Sequence, residues 1–441
     1  MVRNSARLVA AAALAAAATA CGGGTQETQA PADGATTVLT GVRIIDGTGA
    51  APVDQGVIVI NEGRITAAGP ASSVQVPAGA TQVDLAGKTV MPGIIDAHAH
   101  VRADNKALPV PDDLLRRLRV LASYGVTTVV SLGQNENDAE LAEVARLRDT
   151  QDQGPLDRSR IYTSGPTMRN LKAPEEGRVT VDRRVEQKAD RIKFHLDATP
   201  TQMKPDTYGA IIEQAHKHGL RAAAHIYDLA DAKGVVERGI DLVGHSVRDQ
   251  DVDQALIDAM KQRGVAYVPT LTRELSVFVY ESTPAFFSDP FFQRGMSLFK
   301  EEVDVLSTPG YQQKVRESKT AQAIKQALVQ ANRNLKILSD AGVPIAMGTD
   351  AGGGEGRWAG YFEHVELEMM VKAGMSPAQV IVAATSAAAK TSVLDHVGTI
   401  APGKAADLLV LDADPLQDIL NTRKIHSVWI GGRRLGATGT N

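Results

Sequence analysis

The feature that most limits what this chain can become is an alternation repeated eight times. Short β-branched and apolar runs fall near 90–97, 126–132, 160–164, 190–195, 220–226, 241–245, 264–270 and 343–349. Stretches of helical spacing separate them, for example 111–123, 205–218, 255–263 and 320–340. Strands that are apolar on both faces are the kind that lie parallel beneath covering helices. Eight such units predict an α/β fold, a (β/α)8 TIM barrel over 90–393, with its chemistry at the C-terminal ends of the strands.

The flanks have a different texture. Residues 42–47, 56–60 and 64–68 read as short strands, with Asn61-Glu62-Gly63 as a hairpin turn between the last two. Residues 406–411 and 426–430 read the same way. Neither flank has enough strands to bury a core alone. Residues 36–89 and 394–441 are therefore expected to combine into one small composite β-sandwich.

The N-terminus reads as an address. Arg3 and Arg7 precede an alanine-rich apolar run at 8–18, too short to span a bilayer comfortably. Ala18-Thr19-Ala20-Cys21 follows, resembling a bacterial lipoprotein signal with Ala where Leu is usual. The expectation is a signal peptide over 1–20, lipidation of Cys21 and a Gly-, Thr- and Gln-rich tether over 21–35. That would make the chain a membrane-anchored lipoprotein of the bacterial cell envelope, facing the periplasm or the exterior. Cys21 is the only cysteine, so neither a disulfide framework nor a thiolate metal site is available. There is no basic run and aromatic content is 4%, which argues against nucleic acid as a partner. A small-molecule substrate is the expected partner, and a homo-oligomer stays open.

The strand ends carry the chemistry. His98-Ala99-His100 closes the first run, and residues two apart on a strand share a face. Lys193 lies in the run Arg191-Ile192-Lys193-Phe194-His195 that ends the fourth, and His225, His245 and Asp350 fall at the ends of the fifth, sixth and eighth. Imidazole and carboxylate are ligands for zinc and related divalent ions. An ammonium cannot bind metal. A neutral lysine amine can add carbon dioxide and become a carbamate, which could bridge two ions. The second His-x-His, His216-Lys217-His218, lies in a helical stretch where its rings diverge, and it reads as surface.

These residues resemble the amidohydrolase superfamily, in its prolidase-like and imidazolonepropionase-related branch. The resemblance is carried by Pro92-Gly93-Ile94-Ile95-Asp96-Ala97-His98-Ala99-His100, by Lys193, His225, His245 and Gly348-Thr349-Asp350, and by the tail run from Gly398 to Leu408. It implies a binuclear metal centre, Zn2+ by donor type. His98, His100 and Asp350 would hold one ion, His225 and His245 the other, and N6-carboxylated Lys193 would bridge them. It also implies hydrolysis of a carbon–nitrogen bond by metal-activated water, with Asp350 as general base. In that branch a tyrosine at the place of Tyr227 binds or polarises substrate. The expected substrate is an acyl amino acid, dipeptide or cyclic amide. The alternatives are a lactonase or organophosphate-type esterase, and, outside enzymes, a surface-anchored binding lipoprotein with a disused site.

Three further readings stay open. His195 either touches substrate or makes a structural hydrogen bond. Arg273 either meets a substrate carboxylate or is a solvated arginine. The aromatic-rich segment 276–311 is either a lid over an apolar substrate group or an insertion packed on the barrel.

Overall fold

The structure is a computed structural model that describes residues 36–436 apart from Ala198, Pro200 and Thr201. The signal segment, Cys21 and the tether lie outside the described residues. Fifteen strands, β1 to β15, are formed. Five precede the barrel region: Thr37–Ile44, Val53–Asn61, Arg64–Pro70, Thr81–Asp84 and Thr89–Pro92. Seven follow as β6 to β12: Ile94–Ala99, Val126–Ser131, Arg160–Thr163, Arg191–His195, Arg221–His225, Leu242–Gly244 and Ala266–Val268. The last three are Leu408–Leu411, Ile425–Ile430 and Arg433–Arg434.

The two flanks do pair. β5 runs antiparallel to β13, which places Leu408 opposite Pro92 and makes one eight-stranded sheet from both ends of the chain. Leu39, Ile58, Ile65 and Val90 from the N-terminal flank share a buried core with Leu408, Val410 and Trp429 from the C-terminal one. Gly93 is the joint between β5 and β6. A Cβ there would lie 2.2 Å from the Thr127 side chain, so only glycine lets β6 turn off the sheet this close to β7.

β6 to β8 form a parallel sheet of three strands and β9 to β12 one of four. Helices follow the strands, among them Val110–Ser123, Asp138–Asp149, Pro205–Lys217 and Gln254–Arg263. Val110–Ser123 buries Leu114, Leu118 and Leu121, the i, i+4, i+7 stripe of an amphipathic helix. Gln254–Arg263 starts at an Asp253 cap and stops at Gly264 with φ +67°. Ile95 and Val130 of one sheet meet Ala223, Leu242 and Val268 of the other in a single cluster, so the two sheets curve toward each other. Met168 links them on one side, its N–H donating to Lys193 O and its carbonyl accepting from His195 N.

The expected eighth strand, 343–349, is not a regular strand. Only Ile345 forms a bridge, to Tyr267, while Ala97 N donates to Met347 O on the other side. The reasons are local. Pro344 has no N–H to give. The amides of Thr349 and Asp350 both donate to one carbonyl, that of His98, and Asp350 has φ +60°, so the ladder cannot continue. The segment still connects β12 to β6 and delivers Asp350 beside His98.

The aromatic segment is an insertion rather than a cover. Tyr280, Phe287, Phe291, Phe292 and Phe299 are buried. They pack edge-on or tilted against Trp358 and Tyr361 at ring distances of 5.0–6.4 Å. Among the described residues no helix is long and apolar enough to cross a membrane.

Candidate metal centre

The six expected ligands line one cavity of about 400 Å³. His98 is fully buried in β6, and its Nε2 lies 3.5 Å from Asp350 Oδ1 and 3.0 Å from Lys193 Nζ. His100, just past β6, places its Nε2 2.8 Å from the same Asp350 oxygen, while its Nδ1 contacts the Gly133 carbonyl at 3.1 Å. That carbonyl can only accept, so Nδ1 carries the proton and Nε2 is the free donor of a lone pair. His245 is held by a 2.7 Å contact from Nδ1 to the Thr270 hydroxyl, a group that can donate or accept. Its ring lies 4.5 Å from that of His98 and 4.0 Å from that of His225.

The donor set fits a divalent ion. His98, His245 and Asp350 offer ligand atoms within 4.8 Å of one another, and His98 Nδ1 is buried without a hydrogen-bond partner. Such a concentration of buried, unprotonated nitrogen around a carboxylate is costly to assemble unless a cation satisfies it. The backbone is also held out of its usual regions here. His245, Thr270 and Asp350 have φ of +72°, +49° and +60°, three of the non-glycine residues in left-handed conformation. Strain of this kind collects at functional sites. Glu366 helps to hold it, accepting from the amides of Leu271 and Thr272 at 2.8 Å each. Glycines make the room: a Cβ at Gly244 would lie 3.0 Å from His98 Cε1, and one at Gly348 2.8 Å from His98 Cβ.

Burial sets the protonation states. It pushes the Lys193 amine down to about 7, helped by Arg169, Arg273 and Arg191 and opposed by Asp350. It holds His98, His225 and His245 well below the usual imidazole range. For Asp350 burial acts the other way, but Arg357 and the two histidines outweigh it and keep the carboxylate ionised. Arg357 Nη1 bonds Asp350 Oδ2, and Arg273 Nε stands 3.7 Å from the same atom. Asp350 thus turns one oxygen to the histidines and the other to two guanidinium groups.

The remaining expectations divide. His195 lines the cavity, with its ring 3.7 Å from that of His225, and burial pushes its imidazole down to about 3. Arg273 also lines it, but its guanidinium is held 2.7 Å from buried Glu274, whose same oxygen Arg248 also bonds. Tyr227 is not among the lining residues; its ring lies under the Arg248 guanidinium at 4.6 Å. β10 ends at His225, and Tyr227, expected at the rim, lies two residues beyond it. No residue of 276–311 lines the cavity. His216 and His218 are outside it, paired with Asp241 and Asp182. His364 is buried between Tyr124 O and the Thr422 hydroxyl.

Sequence reasoning missed Arg102, Arg169 and Arg357, which all line the cavity. Arg102 had a signal, since it continues the two-residue spacing of His98 and His100. Arg357 had a weaker one: it ends the glycine-rich run after Asp350, and its carbonyl accepts from Gly352 N to fold that run back. Arg169 had only its place after the third strand.

The Amidohydrolase family model matches residues 89–435. A 5-methylthioadenosine/S-adenosylhomocysteine deaminase of Symbiobacterium thermophilum is 28% identical over 222 residues, 44% of this chain and 50% of that one. An enamidase of Eubacterium barkeri is 24% identical over 233 residues, 48% of this chain and 59% of that one. The alignments thus span little more than half the length of these curated relatives. A solved structure from Bifidobacterium longum, provisionally named a prolidase, superposes with a TM-score of 0.75 at 26% identity, covering 93% of this chain and 97% of that one. Together these likenesses point to a TIM-barrel-type fold, with mixed α/β content.

Proposed function

The chain belongs to the amidohydrolase family, and from that premise we propose that it hydrolyses the amide bond of an acylated amino acid, a dipeptide or a cyclic amide. The observation that carries this reading is the convergence of His98, His100, Lys193, His225, His245 and Asp350 on one cavity. The names of its relatives, a deaminase, an enamidase and a prolidase, favour carbon–nitrogen cleavage over ester or phosphoester cleavage.

His98, His100 and Asp350 would hold one divalent ion and His225 and His245 a second, with carboxylated Lys193 between them. Such a pair, zinc by donor type, supplies Lewis-acid activation of water and of the scissile carbonyl. The chain's own groups do the rest. Asp350 takes up the proton released by the attacking water and returns it to the departing nitrogen. Arg357 and Arg273 keep that carboxylate ionised before the proton arrives. His195, neutral at pH 7, offers a hydrogen bond to the substrate rather than a second cation.

The test is a screen of the zinc-loaded chain against N-acyl amino acids, dipeptides, lactones and phosphotriesters. Amide hydrolysis with loss on chelation is expected. Cleavage confined to lactones or phosphotriesters would replace the reading, and a metal-replete protein inert to all classes would favour a binding role.

The envelope location is part of the same proposal. Arg3, Arg7, the apolar run at 8–18 and Cys21 support a lipid-anchored enzyme. Metabolic labelling with radioactive palmitate should mark the wild type and not Cys21→Ser.

A further inference from the structure

The cavity holds more positive charge than the ligand cluster uses. Arg102, Arg169, Arg273 and Arg357 line it, against Asp350 and Glu136. Three of the four cations are engaged. Arg357 bonds Asp350, Arg273 is paired with Glu274 and Asp350, and Arg102 contacts Asp104 at 3.4 Å and the Gly352 carbonyl at 2.9 Å. Glu136 is taken by Arg184 at 2.5 Å and Arg183 at 3.8 Å. Arg169 is left over, with no hydrogen bond or ion pair among the described residues.

Its position is nevertheless fixed. Met168, the preceding residue, is bonded through N–H to Lys193 O at 2.9 Å and through its carbonyl to His195 N at 3.0 Å. Asn170, the next residue, has φ +55° and turns the chain away. Arg169 therefore leaves the backbone beside the end of β9, which bears Lys193 and His195, and its charge is felt by both. A guanidinium placed by a rigid backbone and given no partner among the described residues is ready for a planar anion, which it grips with two parallel N–H donors.

We propose that Arg169 is the receptor for a carboxylate on the substrate, and that the enzyme selects amides whose leaving amine carries that carboxylate. This rests on the hydrolase reading above and narrows it. In an N-acyl amino acid or dipeptide the carboxylate carbon lies two bonds from the scissile nitrogen, so it must stay beside the ligand cluster, where Arg169 is anchored. Cyclic amides without an acid group are then poor substrates.

The experiment uses the zinc-loaded chain with N-acetyl-L-leucine and its methyl ester, and with levulinate and methyl levulinate. Levulinate is the ketone isostere of N-acetylglycine and cannot be hydrolysed. The wild type should cleave the free acid with at least a tenfold higher kcat/KM than the ester. Arg169→Met should erase that preference through KM, and Arg169→Lys should keep part of it. Calorimetry should show levulinate binding more tightly than its ester, again only with Arg169 or lysine present. Unchanged melting temperatures establish that the variants are folded.

Equal treatment of acid and ester by the wild type, or a preference that survives in Arg169→Met, overturns the proposal even if amides are cleaved. Arg169-dependent levulinate binding without any amide cleavage upholds the anion site and overturns the amide reading instead.

Discussion

Lys193 Nζ lies 3.0 Å from His98 Nε2, two basic nitrogens in contact inside a buried site. Both cannot hold protons there, and burial has already pushed the amine down to about 7. A free amine so placed is a nucleophile for carbon dioxide, and the proposed carbamate would be an anion set among imidazoles. Lys193→Ala should lose bound metal and activity together, with partial recovery in acetate or propionate. Metal content measured alongside turnover checks this; full metal occupancy without rescue would count against the carbamate.

Asp350→Asn removes the proposed proton acceptor but keeps the shape. Turnover should fall by about 10²–10⁴-fold, the usual worth of a positioned acid–base group, while circular dichroism and the melting curve stay close to wild type. Normal turnover would eliminate Asp350 as the base.

Phe292 tests the aromatic insertion. It is fully buried, with Phe286, Phe287 and Trp358 at 5.3 Å. Phe292→Ala should cost about 3–5 kcal/mol of stability, read by urea unfolding. The ratio of kcat/KM for bulky over small acyl groups should not move. A lid would give the opposite pattern, a changed ratio with little loss of stability.

His364 gives a pH dependence of known sign. Burial holds its imidazole down to about 3 from an ordinary 6.5. Below 6.5 the unfolded chain takes up a proton that the folded one refuses until about pH 3. The folded state therefore loses about 1.4 kcal/mol per pH unit from this residue as pH falls through that window. His364→Gln lacks this term, so the gap between wild-type and variant melting temperatures should narrow from pH 7 to pH 4. A constant gap would show that the ring is not held neutral.

Much of the site was legible because it follows local rules. A spacing of two on a strand put His98 and His100 together, and the end of each strand marked Lys193, His225 and His245. What was illegible depends on partners far away in sequence. Nothing near Arg273 says that Asp350 will share its charge, and nothing near Arg169 says that it will have no hydrogen bond or ion pair among the described residues. Tyr227 was expected at the rim from the resemblance alone, and its contact with Arg248 depends on a residue outside that motif. The eighth strand was read from its apolar run, but Pro344 and the left-handed Asp350 decide its hydrogen bonds. The aromatic segment could not be assigned from composition, since a lid and a core use the same residues and differ only in what they face.

The pairing of β5 with β13 joins parts of the chain roughly 300 residues apart. The apolar faces of β1 to β5 must wait, uncovered, until the last strands have been synthesised. A product interrupted anywhere in the barrel would keep that edge open and its core half-filled, the exposed surface by which unfinished chains aggregate or are degraded. The shared sheet thus serves as a completeness check: only a chain made through to its final strands can hide both ends of itself.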